Sequence, residues 1–356
     1  MTVFPQHILL IKAHSMGIGD LLRSSAAWRS IKQRWPDAEL HLLMLQKQGY
    51  PATEQFISTH HLLSTATFVK VTVSLPGNSQ KKISYFELKR RAKLQLKDVN
   101  YDLIIDCEPY GLTTSLLTRQ LATAIGAVSV GIAQFPLRKY FYDIASPSSR
   151  HYRAQNNLSS PMDYVERDFV ALAGLGIARE KTRIELRLTA NALRWLQMHN
   201  EKFDPWAKRV VLNIGCGTQD ALSKRPEMDA IVEAMFAFFR RQPFELHLSG
   251  ASYEYQVNES FMRLFASRAA ALKLIPVMTN WAGQCKLDEL AGLISKANIM
   301  VSSDSGPYHM AVALKVPTVC WFNFPTPASH HDHNDVVLLV NPSSITFADA
   351  AEKLFL

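Results

Sequence analysis

A ten-residue stretch from Ser302 to Ala311 brings together residue types that bind phosphate groups. The apolar run at residues 299–302 predicts a strand, and Ser305 and Gly306 suit a helix N-cap and a tight turn. Pro307 fits the first helical position, where its missing N–H group costs nothing. Such a helix start offers unpaired N–H groups and a positive dipole end to an anion. The stretch therefore indicates either a diphosphate site or an ordinary helix cap.

A second turn with a residue that could take part in catalysis lies near the N-terminus. An apolar strand is predicted at residues 7–12, Gly17-Ile18-Gly19-Asp20 follows a short loop, and apolar residues at helical spacing predict a helix over residues 21–35. A strand resumes at residues 39–45, which completes a βαβ unit. This unit leaves the Asp20 carboxylate at the top of the sheet, where it could act as a general base or cap the helix.

Alternating strands and helices predict two Rossmann-like halves. The first half has predicted strands at residues 7–12, 39–45, 67–73, 103–107 and 127–132, and the second at residues 209–214, 244–249, 299–302 and 318–322. We expect the domain boundary in the charged connector at residues 179–205. Residues 133–160, rich in Pro, Ser and Tyr, are interpreted as a long surface loop. A ligand should bind in a cleft at the carboxyl ends of both sheets.

Composition indicates a globular protein of about two domains, because the 356 residues are 47% hydrophobic and 20% charged. No apolar run reaches the roughly 18–20 residues that span a bilayer, and residues 1–20 lack a signal-peptide pattern. The four cysteines, Cys107, Cys216, Cys285 and Cys320, lack metal-ligand spacing. We therefore expect buried free thiols and a cytoplasmic location.

The formal charge of +8 is concentrated at residues 81–97. This basic run holds Lys81, Lys82, Lys89, Arg90, Arg91, Lys93 and Lys97 against the single acid Glu87. It is either a solvated helix face or a patch for an anionic partner. Because no nucleic-acid motif or interleaved aromatic pattern accompanies the run, we expect no nucleic-acid partner.

Three blocks in this order resemble glycosyltransferase family 9, the heptosyltransferases that build the inner core of bacterial lipopolysaccharide. They are Gly17-Ile18-Gly19-Asp20-Leu21-Leu22 with Trp35-Pro36-Asp37-Ala38-Glu39-Leu40, then Asn213-Ile214-Gly215-Cys216-Gly217-Thr218 with Lys224-Arg225-Pro226-Glu227, then Asp304-Ser305-Gly306-Pro307-Tyr308-His309-Met310-Ala311-Val312-Ala313-Leu314 with Val316-Pro317-Thr318. They spread over most of the chain, and each alone would be a weak signal.

The resemblance implies an α/β fold of GT-B type, with two Rossmann-like domains facing across a cleft. Residues 1–180 would bind the acceptor, residues 181–340 the nucleotide-sugar donor, and residues 341–356 would form a closing helix that packs back across the first domain. The implied reaction is an inverting transfer of heptose from ADP-heptose to a lipopolysaccharide core-type acceptor, with no cofactor and no metal. An anionic glycolipid acceptor implies peripheral contact with the cytoplasmic face of the inner membrane.

Site residues are implied by position in these blocks. Asp20 matches the catalytic base. The implied donor-binding residues are Ser305, Gly306 and His309 for the pyrophosphate, Asp304 for sugar hydroxyls, Lys224 and Arg225 for the phosphates, Thr218 for a hydroxyl contact and Glu254 for the ribose. The implied acceptor-binding residues are Lys89, Arg90 and Arg91. His309 alone, on a half-apolar helix, would more often be a core histidine, but its place in the block favours a functional role.

One loop departs from the family pattern, which places a Lys, one further residue, an aromatic residue and then Pro. This chain has Ser223-Lys224-Arg225-Pro226, so that the Lys stands one position late and Arg replaces the aromatic residue. Either the loop is one residue shorter, or Arg225 shares the phosphate contact.

Other functions remain open on the sequence alone. A nicotinamide-dependent oxidoreductase would need a third glycine that Gly17-Ile18-Gly19-Asp20 lacks. A nucleotide-sugar epimerase would share the fold and the donor pocket, and a non-catalytic member would bind glycolipid or a partner protein. His330-His331-Asp332-His333 invites a metal site, but adjacent histidines on a loop rarely converge, so a solvated loop near the donor sugar is expected instead.

Overall fold

The computed structural model describes residues 4–13, 17–74, 80–216, 219–325 and 331–355. It divides into two compact units, Met1–Ile184 and Glu185–Leu356. The division falls inside the connector in which the sequence predicts a boundary, four residues after the predicted position at 180.

The first unit is built on a parallel six-stranded sheet of order β3-β2-β1-β6-β7-β8, with a separate antiparallel pair, β4 and β5. Its strands are β1 (His7–Ala13), β2 (Glu39–Gln46), β3 (Thr65–Lys70), β4 (Thr72–Ser74), β5 (Gln80–Lys82), β6 (Leu103–Asp106), β7 (Val128–Ile132) and β8 (Ile144–Ser146). Its α-helices are α1 (Ile18–Arg34), α2 (Pro51–Ser58), α3 (Tyr85–Leu96), α4 (Leu112–Ile125), α5 (Ser149–Gln155) and α6 (Glu166–Leu172).

The second unit repeats this plan with a parallel sheet of order β11-β10-β9-β12-β13-β14. Its strands are β9 (Arg209–Asn213), β10 (Glu245–Leu248), β11 (Met278–Asn280), β12 (Ile299–Ser303), β13 (Thr318–Phe322) and β14 (Val336–Val340). Its α-helices are α7 (Ala190–Met198), α8 (Met228–Arg241), α9 (Tyr255–Ala271), α10 (Leu287–Ser295), α11 (Gly306–Ala313) and α12 (Ser344–Phe355).

Continuous burial explains why the central strands read as apolar runs rather than alternating ones. Strand β1 is buried from its second residue to its end, and so is β2, because helices cover both faces of a parallel sheet. Each sheet has the strand order of a Rossmann fold, in which β1 and β6, or β9 and β12, lie side by side where the order reverses. The predicted pair of Rossmann-like domains is confirmed, and ligands of such sheets bind beyond the carboxyl ends of these strands.

Helix α12 completes the core of the second unit. Its Phe355 ring lies 5.1 Å from Phe238 and 6.0 Å from Phe244, and its Asp349 pairs with Arg241 of α8 at 2.6 Å. The segment predicted as a closing helix at 341–356 therefore contains a helix that begins at Ser344 and packs on α8.

The prediction of a long surface loop at residues 133–160 is wrong. This segment contains a 3-10 helix (Pro136–Phe141), strand β8 and helix α5, and it carries the buried side chains of Arg138 and Tyr142. Short elements of three to seven residues give no periodic signal, so turn-forming residues dominate the pattern.

Two further expectations concern the cysteines and the membrane. All four cysteines are free thiols, with Cys107, Cys216 and Cys320 buried and Cys285 half-buried. No helix in the described part of the chain combines the length and apolarity needed to cross a bilayer.

Candidate functional site

A polar cluster gathers in the second unit where β9 and β12 end beside each other. Asn213 is the last residue of β9 and pairs in register with Ser302 of β12. The loop after β9 leads to Lys224, and the turn after β12 carries Asp304 and Ser305. The sequence blocks that stand about 90 residues apart therefore meet at the switch point of one sheet.

Helix α11 begins at this cluster with its first turn uncovered by a side-chain cap. Ser305 occupies the N-cap position, but its hydroxyl lies 3.1 Å from Asn213 Nδ2 and 3.1 Å from Ser302 Oγ, and it makes no cap bond to the helix. Gly306 is the first helical residue and Pro307 the second, one position later than predicted. The positive end of the helix dipole is left to act on an anion.

Asp304 joins two positively charged or proton-donating groups at the head of this helix. Lys224 Nζ donates to Asp304 Oδ2 at 2.8 Å, and His309 Nε2 lies 3.9 Å from Asp304 Oδ1. Asp304 is buried, whereas the Lys224 side chain is 38% exposed. The structure thus brings three of the predicted donor-binding residues together, with the ammonium group at the open rim.

His331 is a site residue that sequence analysis missed. It is buried, and its Nε2 lies 2.9 Å from His309 Nδ1. The expectation of a solvated loop is therefore wrong for His331. Because the Asp304 carboxylate lies beyond His309 Nε2, a proton on that nitrogen is favoured, and His331 then donates to His309 Nδ1. No local pattern signals this pair, since the two histidines stand 22 residues apart.

Glu254 is held rigidly by the backbone around it. Its Oε1 accepts the Cys216 N–H at 3.1 Å, and its Oε2 accepts the Ala251 N–H at 2.8 Å. Gly215 allows this approach, because a Cβ there would lie 1.8 Å from Glu254 Oε1. Arg225 reaches the same oxygen at 3.7 Å. The buried carboxylate is thereby fixed beside the loop that carries Lys224.

Asn323 fastens that loop to the sheet. Its side-chain amide donates to the carbonyl oxygens of Ser223 at 2.9 Å and Arg225 at 2.8 Å. Beside Arg225 lies a cavity of about 550 Å³ that is also lined by Pro226, Met228 and Val257. Its size suits a ring system held next to the predicted phosphate contacts. The predicted contact from Thr218 lies outside the described residues.

In the first unit, Asp20 lies in the first turn of α1, and Gly17 rather than Asp20 occupies the N-cap position. Its carboxylate pairs with Arg23, whose guanidinium lies 4.8 Å from the centre of the Tyr164 ring. The Asp20 side chain is 38% exposed and that of Arg23 is 8% exposed. A fixed guanidinium favours the ionised, proton-accepting form of a carboxylate that solutes can reach.

Glu108 is a second acidic residue at the carboxyl end of the first sheet, and sequence analysis did not select it. It follows β6, and its Oε1 accepts the N–H of Ala13, the last residue of β1, at 2.7 Å. Burial raises the pKa of Glu108 to about 7, while the nearby Lys12 ammonium opposes the shift. The sequence signal that could have identified Glu108 is its position directly after a central strand of the sheet.

The basic run lies mainly on α3, which buries Leu88, Ala92 and Leu96 and exposes its cations. Arg90 and Arg91 both bond to Glu87, and these bonds lower the pKa of Glu87 to about 2. Next to this helix is a cavity of about 390 Å³ beyond the ends of β1 and β2. Its lining includes Ala13, Leu45, Lys82, Tyr85, Leu88 and Tyr110.

Comparison with known proteins points to one family of enzymes. The family model described as glycosyltransferase family 9 (heptosyltransferase) matches residues 220–337, which contain Lys224, Asp304, His309 and His331. The chain is 22% identical over 250 residues to the lipopolysaccharide core heptosyltransferase OpsX of Haemophilus influenzae, covering 68% of this chain and 65% of that protein. It is 23% identical over 309 residues to lipopolysaccharide heptosyltransferase 3 of Escherichia coli, covering 85% and 79%.

The chain is therefore similar to the heptosyltransferases of glycosyltransferase family 9. The match to the Haemophilus protein spans just under two thirds of that relative's length. Among solved structures, ADP-heptose lipopolysaccharide heptosyltransferase II of E. coli matches with a TM-score of 0.66 at 14% identity, covering 98% of each chain. At that identity the likeness shows the fold, and it confirms the predicted architecture of GT-B type.

Proposed function

We propose that the protein transfers a heptose from ADP-heptose to a lipopolysaccharide core-type acceptor, with inversion and without a divalent metal. The observation that carries this proposal is the cluster of Lys224, Asp304 and His309 at the uncapped start of α11. The matched relatives bear the names of lipopolysaccharide heptosyltransferases, and one structural neighbour is named for ADP-heptose. These names support the choice of donor and acceptor.

The second unit would stabilise the leaving diphosphate. The α11 N-terminus and the N–H group at His309 Nε2 are in place before the reaction, which lowers the cost of charge development. When a diphosphate draws the Lys224 ammonium toward itself, the Asp304 carboxylate can accept hydrogen bonds from hydroxyl groups of the sugar. The Lys224 ammonium and these donors would supply the charge stabilisation that a metal provides in other transferases.

The first unit would supply the base. An acceptor hydroxyl must lose a proton as it attacks the anomeric carbon, and Asp20 is an accessible carboxylate at a strand-to-helix turn. With one base and no covalent intermediate, the attack comes from the face opposite the diphosphate, so the configuration inverts. The 390 Å³ cavity with its Lys82 lining offers an anionic glycolipid a site at the same end of the sheet. We place the reaction in the cytoplasm, with peripheral contact at the inner membrane.

Incubation of the full chain with ADP-heptose and a lipopolysaccharide core acceptor tests the proposal directly. We expect ADP release that requires the acceptor, and NMR of the product should show the inverted anomer. Conversion of the donor without acceptor would instead identify an epimerase. Stabilisation by NAD and not by ADP-heptose would favour an oxidoreductase, because a ligand of the folded state raises its melting temperature.

Replacement of Lys224 tests which cation contacts the phosphates. We expect Lys224→Ala to weaken ADP binding about 10- to 100-fold, since a hydrogen bond to a charged group contributes about 1.5–3 kcal/mol. Arg225→Ala should weaken it less than about tenfold, because Arg225 also pairs with Glu254. Isothermal titration calorimetry with ADP measures both, and Lys273→Ala at an exposed position of the same unit is the control. The opposite ranking would assign the phosphate contact to Arg225.

Replacement of the basic run tests the acceptor site. Changing Lys89, Arg90 and Arg91 together to Ser should raise the acceptor KM about 10- to 100-fold, since three contacts of roughly 0.5–1 kcal/mol each are lost. The donor KM should stay unchanged, and the effect should shrink at high salt, where screening has already weakened these contacts. Steady-state kinetics at two ionic strengths provides the measurement.

A charge-matched control separates this effect from a general change in charge. Exposed lysines of the second unit, Lys273, Lys296 and Lys353, replaced together by Ser, remove the same three charges. An equal rise of the acceptor KM in both triple variants would show that α3 is only a solvated surface.

A further inference from the structure

Two histidines and a glutamate converge at the amino ends of β1 and β2, far along the sheet from the residues discussed above. His7 pairs in register with Glu39, and His41 follows Glu39 by two positions. Because side chains alternate along a strand, Glu39 and His41 lie on one face of the sheet. The parallel register therefore brings all three side chains to one corner of the first unit.

The spacing of the three groups is that of metal ligands. His7 Nδ1 and His41 Nε2 each lie 3.4 Å from Glu39 Oε2, and the ligand atoms all lie within 4.8 Å of one another. Two ligands of a tetrahedral Zn²⁺ are about 3.3–3.4 Å apart, because each stands about 2.0–2.1 Å from the ion. The two distances to Glu39 therefore match this value. In the described parts of the chain, this is the one group of three or more such side chains whose ligand atoms all lie within 4.8 Å of one another.

One nitrogen of the buried His41 ring is held by a hydroxyl group. His41 is 3% exposed, and its Nδ1 lies 2.7 Å from Thr65 Oγ1. When a proton on Nδ1 is donated to Thr65, Nε2 presents a lone pair toward the side of Glu39, where it can ligate a metal ion.

The two nitrogens that face Glu39 are buried and have no hydrogen-bond partner among the residues that the structure describes. This holds for both His7 Nδ1 and His41 Nε2. Buried ring nitrogens are normally satisfied, so two unsatisfied ones aimed at the same carboxylate point to a missing group. A hydroxyl partner for Nδ1, such as Thr65, is the kind of outer contact that fixes the tautomer of a metal-bound histidine.

Neighbouring groups hold the three side chains in place. The Asp102 carboxylate accepts the backbone N–H groups of Gln6 at 2.8 Å and His7 at 2.9 Å. The Tyr101 ring packs edge-on against His41 at 5.2 Å between ring centres. The two imidazoles are therefore presented by fixed backbone and packed rings, which reduces the ordering cost of binding.

The second unit contains a corresponding corner in which one of the three residues differs. Glu245 and His247 of β10 stand at the positions of Glu39 and His41, with His247 Nε2 3.6 Å from Glu245 Oε2. The partner of Glu245 in register is Arg209, whose charge acts to lower the Glu245 pKa against the effect of burial. Where the second unit has a guanidinium group, the first unit has His7, a residue type that can ligate a metal ion.

We propose that His7, Glu39 and His41 form a binding site for a divalent transition metal of the zinc class. Two imidazoles and one carboxylate leave a fourth position for water, and Glu39 is 55% exposed, so an ion can enter from solution. The seven residues of β1 separate the site from the opposite end of the sheet by about 20 Å, at about 3.3 Å per residue. The ion ties the starts of β1 and β2 together and takes no part in sugar transfer.

Metal titration of the full chain tests this site. After treatment with a chelator, the protein is titrated with Co²⁺ and then with Zn²⁺, with visible absorption and melting temperature as readouts. We expect one Co²⁺ per chain with the d–d bands of tetrahedral coordination, displacement by Zn²⁺, and a melting temperature that rises with Zn²⁺. Thiolate charge-transfer bands would instead place the ion on a cysteine and overturn the proposal.

Matched variants decide the ligand set. His7→Arg copies the corner of the second unit and should weaken Co²⁺ binding by about tenfold or more while the metal-free melting temperature is retained. Glu39→Gln, at an exposed position, should weaken it as well. His151→Gln changes an exposed histidine on α5 and should leave binding unchanged. Wild-type affinity in His7→Arg and Glu39→Gln, or no binding by the wild type, would overturn the proposal.

Discussion

Asp20→Asn is expected to lower kcat for heptose transfer about 10²- to 10⁴-fold, the usual contribution of a general base. The amide keeps the size of the side chain but cannot accept the acceptor proton. Affinity for ADP-heptose should stay within about tenfold of wild type, because the lost interaction acts in the transition state. Steady-state kinetics and donor titration measure the two effects separately.

Asp37→Asn is the matched control for this prediction. Asp37 is an exposed carboxylate just beyond the other end of α1, and its replacement should leave kcat unchanged. If Asp20→Asn turned over like the wild type, Asp20 would serve only as the ion-pair partner of Arg23. Glu108, with its pKa of about 7, would then be the next carboxyl group to replace.

Arg138→Met is expected to lower the free energy of unfolding by about 3–5 kcal/mol, as when one member of a buried ion pair is removed. Arg138 donates to Asp106 Oδ2 at 2.9 Å, and both side chains are buried. Tyr142 donates to the same oxygen at 2.7 Å. Without the guanidinium, Asp106 is a buried charge with weaker compensation. Urea denaturation of the full chain measures the loss.

Arg119→Met provides the comparison at the surface. Arg119 pairs with Asp143 at 2.9 Å, but both side chains are 46% exposed, so the loss should be below about 1 kcal/mol. Equal losses in the two variants would show that burial does not set the energy of the Arg138 pair.

The loss of unfolding free energy caused by Arg138→Met should also depend on pH. Burial raises the pKa of Asp106, and Arg138 opposes that shift, so its removal raises the pKa further. A group whose folded-state pKa is raised contributes stability that is present at low pH and lost as pH rises through that pKa. The difference from wild type should therefore be smaller at pH 5 than at pH 7, and urea titrations at both values test this.

Much of the fold could be predicted because buried parallel strands leave a strong local signal. Strands β1, β2, β9 and β12 are apolar runs bounded by turns, and their predicted limits agree with the structure within two residues. The short strands β8 and β11 were missed, since three residues give no periodicity. The meeting of Lys224, Asp304 and His309 was predictable because these residues follow strand ends in recognisable blocks.

Contacts between distant side chains could not be predicted in the same way. His331 reaches His309 through a loop, and Arg138 reaches Asp106 from a segment that reads as turn-rich. Neither pair has a fixed spacing that a sequence pattern could reveal. The roles of Asp20, of Lys89, Arg90 and Arg91, and of the predicted donor-binding residues all stay predictions.

The two hydrogen bonds from Asn323 affect how the loop that carries Lys224 moves as well as where it lies. They join Ser223 and Arg225 to the end of β13, about 100 residues later in the chain. A tethered loop opens less often than a free one, so its amides should exchange slowly with solvent. Less conformational entropy is then lost when a nucleotide binds, and affinity gains without any new contact. If this loop binds the nucleotide as proposed, Asn323 would influence that binding by limiting the motion of a loop encoded far upstream.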